Sequence, residues 1–366
     1  MTPLRLGIVG LGTVAQAVYL PLLARRPDLF ELASLYDVSP STLAATAGRY
    51  GGTPRRSLAE VLAEAPDGLL LLTPGSHGAD ALATAEAGIP VLCEKPLAYT
   101  LAEADALAAS AAPLQLGYMK LYDPAVDRAV AAVKVRPAPR SVDVTVLHPP
   151  ASPQLVHARI PAPAADVPLD TRDRLEGETA AVLERALGDA PPELRRLYSD
   201  VLLASVVHEL ALVRALAGDP VSIECAQSWP DDRYPGSFSI DGTLSGGGRL
   251  SIRWHYLEQA AVYREEVRVH DDLGTVELVF PSPYLLHAPT HFSETGSNAD
   301  GEEKREFRST AEAFERQLEA FHRFVSEGER PRAGVGEGRA DIATCQRIVR
   351  RLAEGRGWAL GGEAAQ

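Results

Sequence analysis

The sequence has no excess of basic residues: 36 Lys and Arg stand against 49 Asp and Glu, a formal net charge of −13. Because nucleic acids and anionic membrane surfaces bind basic protein faces, we expect neither as a partner, and we expect a substrate that is not a polyanion. No apolar run reaches membrane-spanning length. The first apolar run begins within a few residues of Met1, so we expect no signal peptide and a cytoplasmic location.

Cysteine is also scarce. The three cysteines are Cys93, Cys225 and Cys345, an odd and widely spaced set that gives neither a disulfide framework nor metal-ligand spacing. We expect each to be a small buried hydrophobe in a reducing compartment. His287 and His291, in a predicted loop over 281–300, lack a carboxylate at ligand spacing, and we predict no metal.

The composition is that of a globular protein with two domains. The chain has 366 residues, of which 46% are hydrophobic and 23% charged. Up to about residue 120, short apolar runs alternate with amphipathic helical patterns, which predicts an α/β domain with a doubly wound parallel sheet. The predicted strands are 4–9, 31–37, 68–73, 90–93 and 114–118. The predicted helices are 14–24, 39–49, 57–65, 77–87 and 100–110.

A glycine-rich turn follows the first strand. Gly10 permits a tight turn, Gly12 has no side chain to block a pyrophosphate, and the backbone at Thr13 and Val14 begins a helix whose N–H groups can face phosphate. The second strand ends on Asp37, whose carboxylate can accept both hydroxyls of an adenosine ribose. The pattern therefore predicts a dinucleotide site, and the alternative is a structural turn that binds no phosphate.

The predicted cofactor is NAD, with NADP possible. A carboxylate at Asp37 repels a 2′-phosphate, and the next residue is Val38 rather than an arginine. Both observations favour NAD, and neither excludes NADP.

Two further strand ends should lie beside the cofactor, because ligands of such sheets gather at the carboxyl ends of strands. One carries Thr73 and Pro74, followed by His77, which is either a ligand contact or only a helix-start residue. The other carries Glu94, Lys95 and Pro96. Lys95 is predicted as a proton donor to a substrate oxygen, and the alternative is a surface Lys–Glu pair.

Together these motifs resemble the Gfo/Idh/MocA family, the oxidoreductases related to glucose-fructose oxidoreductase and inositol dehydrogenase. The resemblance covers nearly the whole chain, and its most specific element is the Glu-Lys-Pro tripeptide. The motifs that carry it are Gly10-x-Gly12-x-x-Ala15, Asp37, Thr73-Pro74, His77, Ala87-Gly88, Glu94-Lys95-Pro96-Leu97-Ala98 and Gly117-Tyr118-Met119-Lys120.

The resemblance implies an N-terminal Rossmann domain, residues 1–120, and a C-terminal α+β domain, residues 121–366, with a large, mostly antiparallel open sheet. It also implies that helices within about 311–354 pack back toward the Rossmann domain. The usual reaction is hydride transfer between a nicotinamide and a secondary alcohol or ketone of a sugar or cyclitol, with the lysine of the tripeptide, here Lys95, near the reacting oxygen and the cofactor. An open sheet face suggests a homo-oligomer, a dimer or tetramer.

The resemblance also indicates further site residues. Met119 and Lys120 lie in a loop that usually carries one or two arginines for cofactor and substrate; Lys120 keeps a cation, whereas Leu121 does not. In the second domain, His208 matches a catalytic histidine, and the alternative is a packed core residue on an apolar helix. The aspartate that many relatives place four residues earlier is Ala204 here, and a further acidic position is Ala211.

The second domain has less regular patterning. Predicted strands are 141–148, 221–228, 238–245, 249–257, 262–270 and 274–280, with Gly246-Gly247-Gly248 as a hairpin turn; predicted helices are 172–187, 311–326 and 338–354. Residues 149–168 form a Pro- and Ala-rich loop that is either a substrate lid or a linker. His148 and the run Trp254-His255-Tyr256 either line the substrate pocket or serve packing.

Three functions remain open at this point. The first is an NAD(P)-dependent dehydrogenase for a small hydroxylated or keto substrate, in which Lys95 and His208 suffice as the acid/base pair. The second is a dinucleotide-binding regulator or sensor without turnover, favoured by Ala204, Ala211 and Leu121. The third is a lyase or glycosidase that oxidises its substrate transiently.

Overall fold

The computed structural model describes residues 2–160, 165–230 and 232–366, and in it the chain forms two units. The first unit consists of residues 1–118, 158–188 and 317–342. The second consists of residues 119–157, 189–316 and 343–366. Each unit is built around one sheet.

The sheet of the first unit is parallel and has six strands in the order β3-β2-β1-β4-β5-β6. The strands are β1 (Leu4–Val9), β2 (Phe30–Tyr36), β3 (Thr53–Pro54), β4 (Gly68–Leu71), β5 (Val91–Cys93) and β6 (Leu114–Leu116). Strands β4, β5 and β6 are buried along their whole length, as expected for a sheet covered on both faces. The prediction of a doubly wound α/β fold is confirmed.

Helices follow the strands as the sequence predicts. They are Pro40–Tyr50, Leu58–Ala63, Gly78–Glu86 and Leu101–Ala109, and the later helix Leu169–Leu187, predicted as 172–187 within the second domain, also belongs to this unit. Ser39 caps the first of these with its hydroxyl and Pro40 takes the first helical position; Thr100 and Glu103 form a capping box on the fourth. The helix after β1 departs from regular α geometry, since Ala15–Tyr19 forms a π-helical turn before the α-helical residues Leu20–Leu23.

The carboxyl ends of the central strands of the first sheet are in register. Val9 pairs with Tyr36 on one side and Leu71 on the other, Leu71 pairs with Cys93, and Cys93 pairs with Leu116. The residues that follow these strand ends are Gly10, Asp37, Leu72, Glu94 and Gly117. Motifs separated by up to about a hundred residues of sequence therefore begin along one edge of the sheet.

Late stretches of chain complete the first unit. The N–H of Leu116 donates to the carbonyl of Ala333 at 2.9 Å. A Cβ on Gly68 would lie 3.0 Å from the ring of Phe321, so this ring packs directly on the β4 backbone. The helices that supply these residues or adjoin them run over Ala313–Glu327 and Val335–Arg356.

The sheet of the second unit has eight strands in the order β14-β13-β12-β11-β7-β10-β9-β8. Among the described strands of this second sheet, only the β7–β10 pair is parallel, so the predicted mostly antiparallel sheet is confirmed. The strands are β7 (Ser141–His148), β8 (Pro220–Trp229), β9 (Ser237–Leu244), β10 (Arg249–Tyr256), β11 (Arg264–Asp271), β12 (Gly274–Phe280), β13 (His291–Asn298) and β14 (Gly301–Arg308).

Residues alternate between a buried and a half-exposed face along β7 and β9–β12, as the period of two requires. The predicted glycine turn joins β9 to β10: the N–H of Leu244 donates to Gly248 and that of Gly247 to Leu244. The helices of this unit are Pro124–Val133, Ala151–Leu155, Pro192–Arg196 and Val207–Ala217, with the 3₁₀ turns Met119–Tyr122 and Val156–Ala158 and the π-helix Leu197–Val206.

Two expectations for irregular segments need correction. The predicted loop over 281–300 is wrong in its second half, because His291–Asn298 forms β13 and pairs with β12. The predicted loop over 149–168 contains the short helix Ala151–Leu155, while its residues 161–164 lie outside the described residues. Within the described parts of the chain, no helix is both long and apolar enough to cross a membrane.

Candidate functional site

The turn after β1 has the shape that phosphate binding requires. Gly10 has φ +90°, and a Cβ there would lie 2.6 Å from the backbone nitrogen of Thr73, so only glycine fits. Gly12 is different, because a Cβ there would meet no atom within 4 Å in the described structure. The N–H groups at the start of the following helix, including those of Thr13 and Val14, have no partner one turn earlier in that helix. The turn therefore combines open space with backbone donors.

Asp37 is fixed beside this turn by backbone donors. Its Oδ2 accepts the N–H of Leu11 at 2.7 Å, and its Oδ1 accepts the N–H of Ser39 at 2.8 Å. Each carboxylate oxygen can accept a further hydrogen bond, so the group keeps capacity for two hydroxyls. The position after β2 and the remaining acceptor capacity fit an adenosine ribose.

His77 ties together the loops that follow β4 and β5. Its Nδ1 lies 2.6 Å from the carbonyl oxygen of Pro96, its Nε2 lies 2.7 Å from that of Thr73, and the residue is fully buried. Burial lowers the pKa of the imidazole, while the two carbonyls raise it. The observed contacts are structural, and a direct contact of His77 with a cofactor stays a prediction.

Glu94 is the buried member of the Glu-Lys-Pro tripeptide. Its Oε1 accepts the hydroxyl of Tyr19 at 2.6 Å, and that hydroxyl accepts the side-chain amide of Gln317 at 2.9 Å. Its Oε2 accepts the backbone N–H of Lys95 at 3.2 Å. Burial raises the pKa of Glu94 against the opposing effects of Lys95 and Tyr19. The carboxyl group thus holds the loop from inside the unit.

Lys95 stands at the same edge of the sheet as Gly10, Asp37 and Thr73. It is half-buried, whereas its neighbours Glu94 and Pro96 are buried, and its peptide bond to Pro96 is cis. A half-buried lysine on a loop that is anchored on both sides suits directed proton transfer. The sequence prediction that these residues converge on one edge agrees with the strand register.

In the second unit, Lys120 belongs to a buried ionic cluster. Its Nζ pairs with Glu209 at 3.2 Å and also with Glu265, whose Oε2 accepts the hydroxyl of Tyr263 at 2.5 Å. Two carboxyl groups thus face one ammonium. Burial lowers the pKa of Lys120, but the two carboxylates outweigh that effect and raise it; burial raises the pKa of Glu209 to about 8. Burial therefore favours the protonated form of Glu209.

The predicted roles of Met119 and Lys120 toward cofactor and substrate stay predictions. Both residues are buried in a 3₁₀ turn, and both line a pocket of the second unit together with Asp123, Phe280 and Glu312. Sequence reasoning missed Glu209 and Glu265, since an acidic residue on an apolar helix or strand gives no sign of its distant partner.

His208 lies on the less buried side of its helix. Ala204, Ser205 and His208 are half-buried, while the residues on either side of them, such as Val206 and Glu209, are buried. Ser205 accepts the indole N–H of Trp254 at 3.1 Å. The position predicted to lack an acid, Ala204, therefore shares a partly open surface with His208.

An aromatic cluster adjoins this helix. The ring of His148 lies 5.4 Å from that of Trp254 and 6.2 Å from that of Tyr256. Trp254 and Tyr256 share the helix-covered face of the sheet, whereas His255, between them, points to the other face and bonds Ser237. In the second unit, His148 thus lies beside Trp254, which bonds Ser205 in the π-helix directly before the helix of His208, while Lys95 belongs to the first unit.

Comparison with known proteins agrees with this architecture. Residues 4–120 match the family model described as "Oxidoreductase family, NAD-binding Rossmann fold". The rhizopine catabolism protein MocA of Rhizobium meliloti is 34% identical over 129 residues, 34% of this chain and 40% of that protein. The D-glucoside 3-dehydrogenase of Escherichia coli is 35% identical over 33% of this chain and 35% of that protein. These matches span about two fifths or less of the relatives' lengths.

Longer matches have lower identity. Inositol 2-dehydrogenase 1 of Saccharopolyspora erythraea is 26% identical over 79% of this chain and 75% of that protein. The solved structure of UDP-N-acetylglucosamine 3-dehydrogenase GnnA from Acidithiobacillus ferrooxidans is 20% identical, with a TM-score of 0.70 over 97% of this chain and 99% of that one. A likeness at this identity establishes the fold alone.

Proposed function

We propose that the chain belongs to the Gfo/Idh/MocA family of oxidoreductases and that it is an NAD(P)-dependent dehydrogenase or reductase. The proposed reaction transfers a hydride between nicotinamide and a secondary alcohol or ketone of a sugar, a cyclitol or a related small molecule. Relatives named as inositol and glucoside dehydrogenases support this substrate class.

The observation that carries the proposal is the row of in-register strand ends in the first unit. It places the open turn at Gly12, the carboxylate of Asp37, the loop at Thr73 and the half-buried Lys95 after neighbouring strands. The crevice at the carboxyl ends of parallel strands is where such sheets bind dinucleotides.

The residues present fit NAD. Gly12 offers open space for a pyrophosphate, the backbone at Thr13 and Val14 offers donors, and Asp37 offers acceptors for ribose hydroxyls. Bound NAD supplies or accepts the hydride. Thr73 and Pro74, which follow β4 at the same edge, are proposed to border the cofactor.

Lys95 is the proposed proton donor to the ketone oxygen in reduction and the acceptor in oxidation. Glu94 and His77 hold the loop on which it stands, from two different sides. His208 is the proposed second acid/base group, and His148 a substrate contact. General acid catalysis by a positioned lysine contributes about 10² to 10⁴-fold to a rate.

We further propose that the protein works in the cytoplasm as a homo-oligomer, a dimer or tetramer. The face of the second sheet opposite its buried face is polar and only half-exposed, with ion pairs such as Arg268–Glu277 at 2.6 Å. Light scattering during size-exclusion chromatography would measure the subunit number, and a monomer would contradict this part.

The decisive test exposes the purified protein to keto sugars and cyclitols and follows NADH at 340 nm, with Lys95→Ala as the matched inactive variant. Turnover that depends on Lys95 supports the proposal. Tight cofactor binding without turnover on any substrate would instead indicate a regulator or sensor. Product formation without a net change at 340 nm would indicate a lyase or glycosidase with transient oxidation. Absence of dinucleotide binding would overturn all three.

A further inference from the structure

A carboxylate from a distant part of the chain is bound at the start of the helix Pro40–Tyr50. Asp166 accepts the hydroxyl of Ser39 through Oδ1 at 2.6 Å and the backbone N–H of Ser41 through Oδ2 at 2.8 Å. All of these residues belong to the first unit. The contact joins positions more than a hundred residues apart in the sequence.

The donors that Asp166 uses are those an anion would use. The first N–H groups of a helix lack partners within the helix and carry partial positive charge, and a serine hydroxyl beside them adds a further donor. The hydrogen bonds from the two serines lower the pKa of Asp166, so its side chain is ionised at neutral pH. The donors at this helix start are therefore already bound to a carboxylate of the protein itself.

Ser39 links this position directly to the proposed ribose site. Its backbone N–H donates to Asp37, and its hydroxyl donates to Asp166. Two carboxylates thus flank one serine. The run Asp37-Val38-Ser39-Pro40-Ser41 contains no lysine or arginine, the residue types that accommodate a 2′-phosphate in dinucleotide-binding folds.

We propose that Asp166 is a specificity-determining residue that excludes NADP by occupying, with its own carboxylate, the donors that a 2′-phosphate would use. The inference rests on the proposed binding of NAD. It adds to Asp37 a second determinant, one that comes from the stretch before the helix Leu169–Leu187.

The physical consequence differs between the two cofactors. A ribose 2′-hydroxyl is neutral and needs only the acceptors of Asp37, so Asp166 does not oppose it. A 2′-phosphate brings about two negative charges and must either displace Asp166 or remain beside two carboxylates. Removing the Asp166 side chain frees two hydrogen-bond donors and eliminates one negative charge. Hydrogen bonds to charged groups are strong enough to change the affinity for NADPH about tenfold or more.

The test measures dissociation constants, since these do not depend on turnover. NADH and NADPH are titrated by fluorescence against the full-length protein and the variants Asp166→Ala and Asp166→Asn. The fragments 5′-AMP and adenosine 2′,5′-bisphosphate are titrated by calorimetry. Asp170→Ala is the matched control, because Asp170 is an equally exposed acid four residues later whose contact is to the N–H of its own neighbour Thr171.

We expect the unaltered protein to bind NADH more tightly than NADPH. Asp166→Ala should lower the dissociation constants of NADPH and of the bisphosphate about tenfold. The dissociation constants of NADH and 5′-AMP should change by no more than about twofold. Asp166→Asn, which removes the charge but can still occupy the donors, should gain less. Asp170→Ala should leave the ratio of the two dissociation constants unchanged.

Three results would overturn the inference. One is an Asp166→Ala variant with a preserved melting temperature in which the ratio of the dissociation constants of NADPH and NADH is the same as in the unaltered protein. Another is an equal change for both cofactors, since that indicates a structural contact only. The third is an unaltered protein that prefers NADPH.

If the unaltered protein binds NADH but turns over no substrate, the proposed enzymatic function fails while this inference stands. If it binds neither dinucleotide, both fail.

Discussion

The imidazole of His77 bonds the carbonyl oxygen of Pro96 through Nδ1 at 2.6 Å, and so fixes the residue that directly follows Lys95. The other ring nitrogen bonds Thr73, at the end of the neighbouring strand. The position of the proposed proton donor therefore depends on a fully buried side chain.

The first prediction concerns His77→Ala. The substitution removes the ring that lies between two carbonyl oxygens. A neutral imidazole has one N–H and donates to one of them, and an unsatisfied buried polar group costs about 1–3 kcal/mol. We expect the free energy of unfolding to fall by about 1–3 kcal/mol and turnover to fall with it, because Lys95 loses its support. Urea denaturation and initial rates measure the two effects. The exposed His157→Ala is the control; unchanged stability in His77→Ala would contradict the assigned contacts.

The second prediction concerns Lys95→Ala. Turnover should fall by about 10² to 10⁴-fold, the usual contribution of a general acid, while the dissociation constant of NADH changes little. Steady-state rates and a fluorescence titration of NADH separate these quantities. Lys134→Ala, at an exposed helix end, should behave like the unaltered protein. An active Lys95→Ala enzyme would assign the proton transfer to another group.

The third prediction concerns His208→Ala. If His208 takes part in proton transfer, kcat should fall by at least about tenfold and the pH profile should lose the limb that this histidine contributes. His255→Ala, on the other face of the sheet, should keep both the rate and the profile. Full activity of His208→Ala would return the residue to a packing role.

The fourth prediction contrasts the two glycines of the turn after β1. Gly10→Ala forces a Cβ within 2.6 Å of backbone at φ +90°, so it should lower the melting temperature. Gly12→Ala meets open space and should fold normally, but it should weaken NADH binding about tenfold or more because the methyl group occupies the proposed phosphate space. Calorimetric melts and NADH titrations of both variants check this. Equal behaviour of the two variants would count against a phosphate site at Gly12.

The fifth prediction concerns pH and Glu209. Burial raises its pKa from 4.5 to about 8, beside Lys120, Glu265 and Tyr263. Between these two values the folded state holds a proton that the unfolded state has released. The free energy of unfolding should therefore fall as pH rises through this window, by on the order of a few kcal/mol in total.

Glu209→Gln cannot titrate and should flatten this pH dependence, with its largest relative gain near pH 8. Urea midpoints at pH 5, 6.5 and 8 measure the slope. Glu258→Gln removes an exposed carboxylate and should keep the slope of the unaltered protein. An unchanged slope in Glu209→Gln would show that Glu209 does not hold a proton in the folded state over this window.

The first sheet was predictable because its signals are local. Apolar runs such as Leu69–Leu72 mark strands buried on both faces, and Ser39-Pro40 marks a helix start. The residue types after those strands, Gly10, Asp37 and Lys95, then carry the site. The bounds of the predicted strands and helices of this sheet differ from the observed bounds by at most two residues.

The elements that escaped prediction lack such signals. Strand β14 has the sequence Gly-Glu-Glu-Lys-Arg-Glu-Phe-Arg, whose charges suit an exposed edge strand but resemble a solvated loop. The contacts of Asp166 with Ser39 and of Lys120 with Glu265 join residues more than a hundred positions apart. A single sequence carries no trace of such pairs, because either partner alone is compatible with an exposed surface.

The first unit includes residues 317–342, which are synthesised long after its N-terminal sheet. Leu116 bonds Ala333, and Phe321 packs on Gly68. A ribosome that adds about 5–20 residues per second needs roughly ten to forty-five seconds to travel from residue 118 to residue 342. During that interval, apolar surface of the N-terminal sheet is exposed because the residues that pack on it in the folded unit, such as Phe321, have not yet been synthesised. Biosynthesis of this protein thus includes a period in which the surface that Phe321 covers in the folded unit is exposed, and exposed apolar surface of this kind is prone to aggregation.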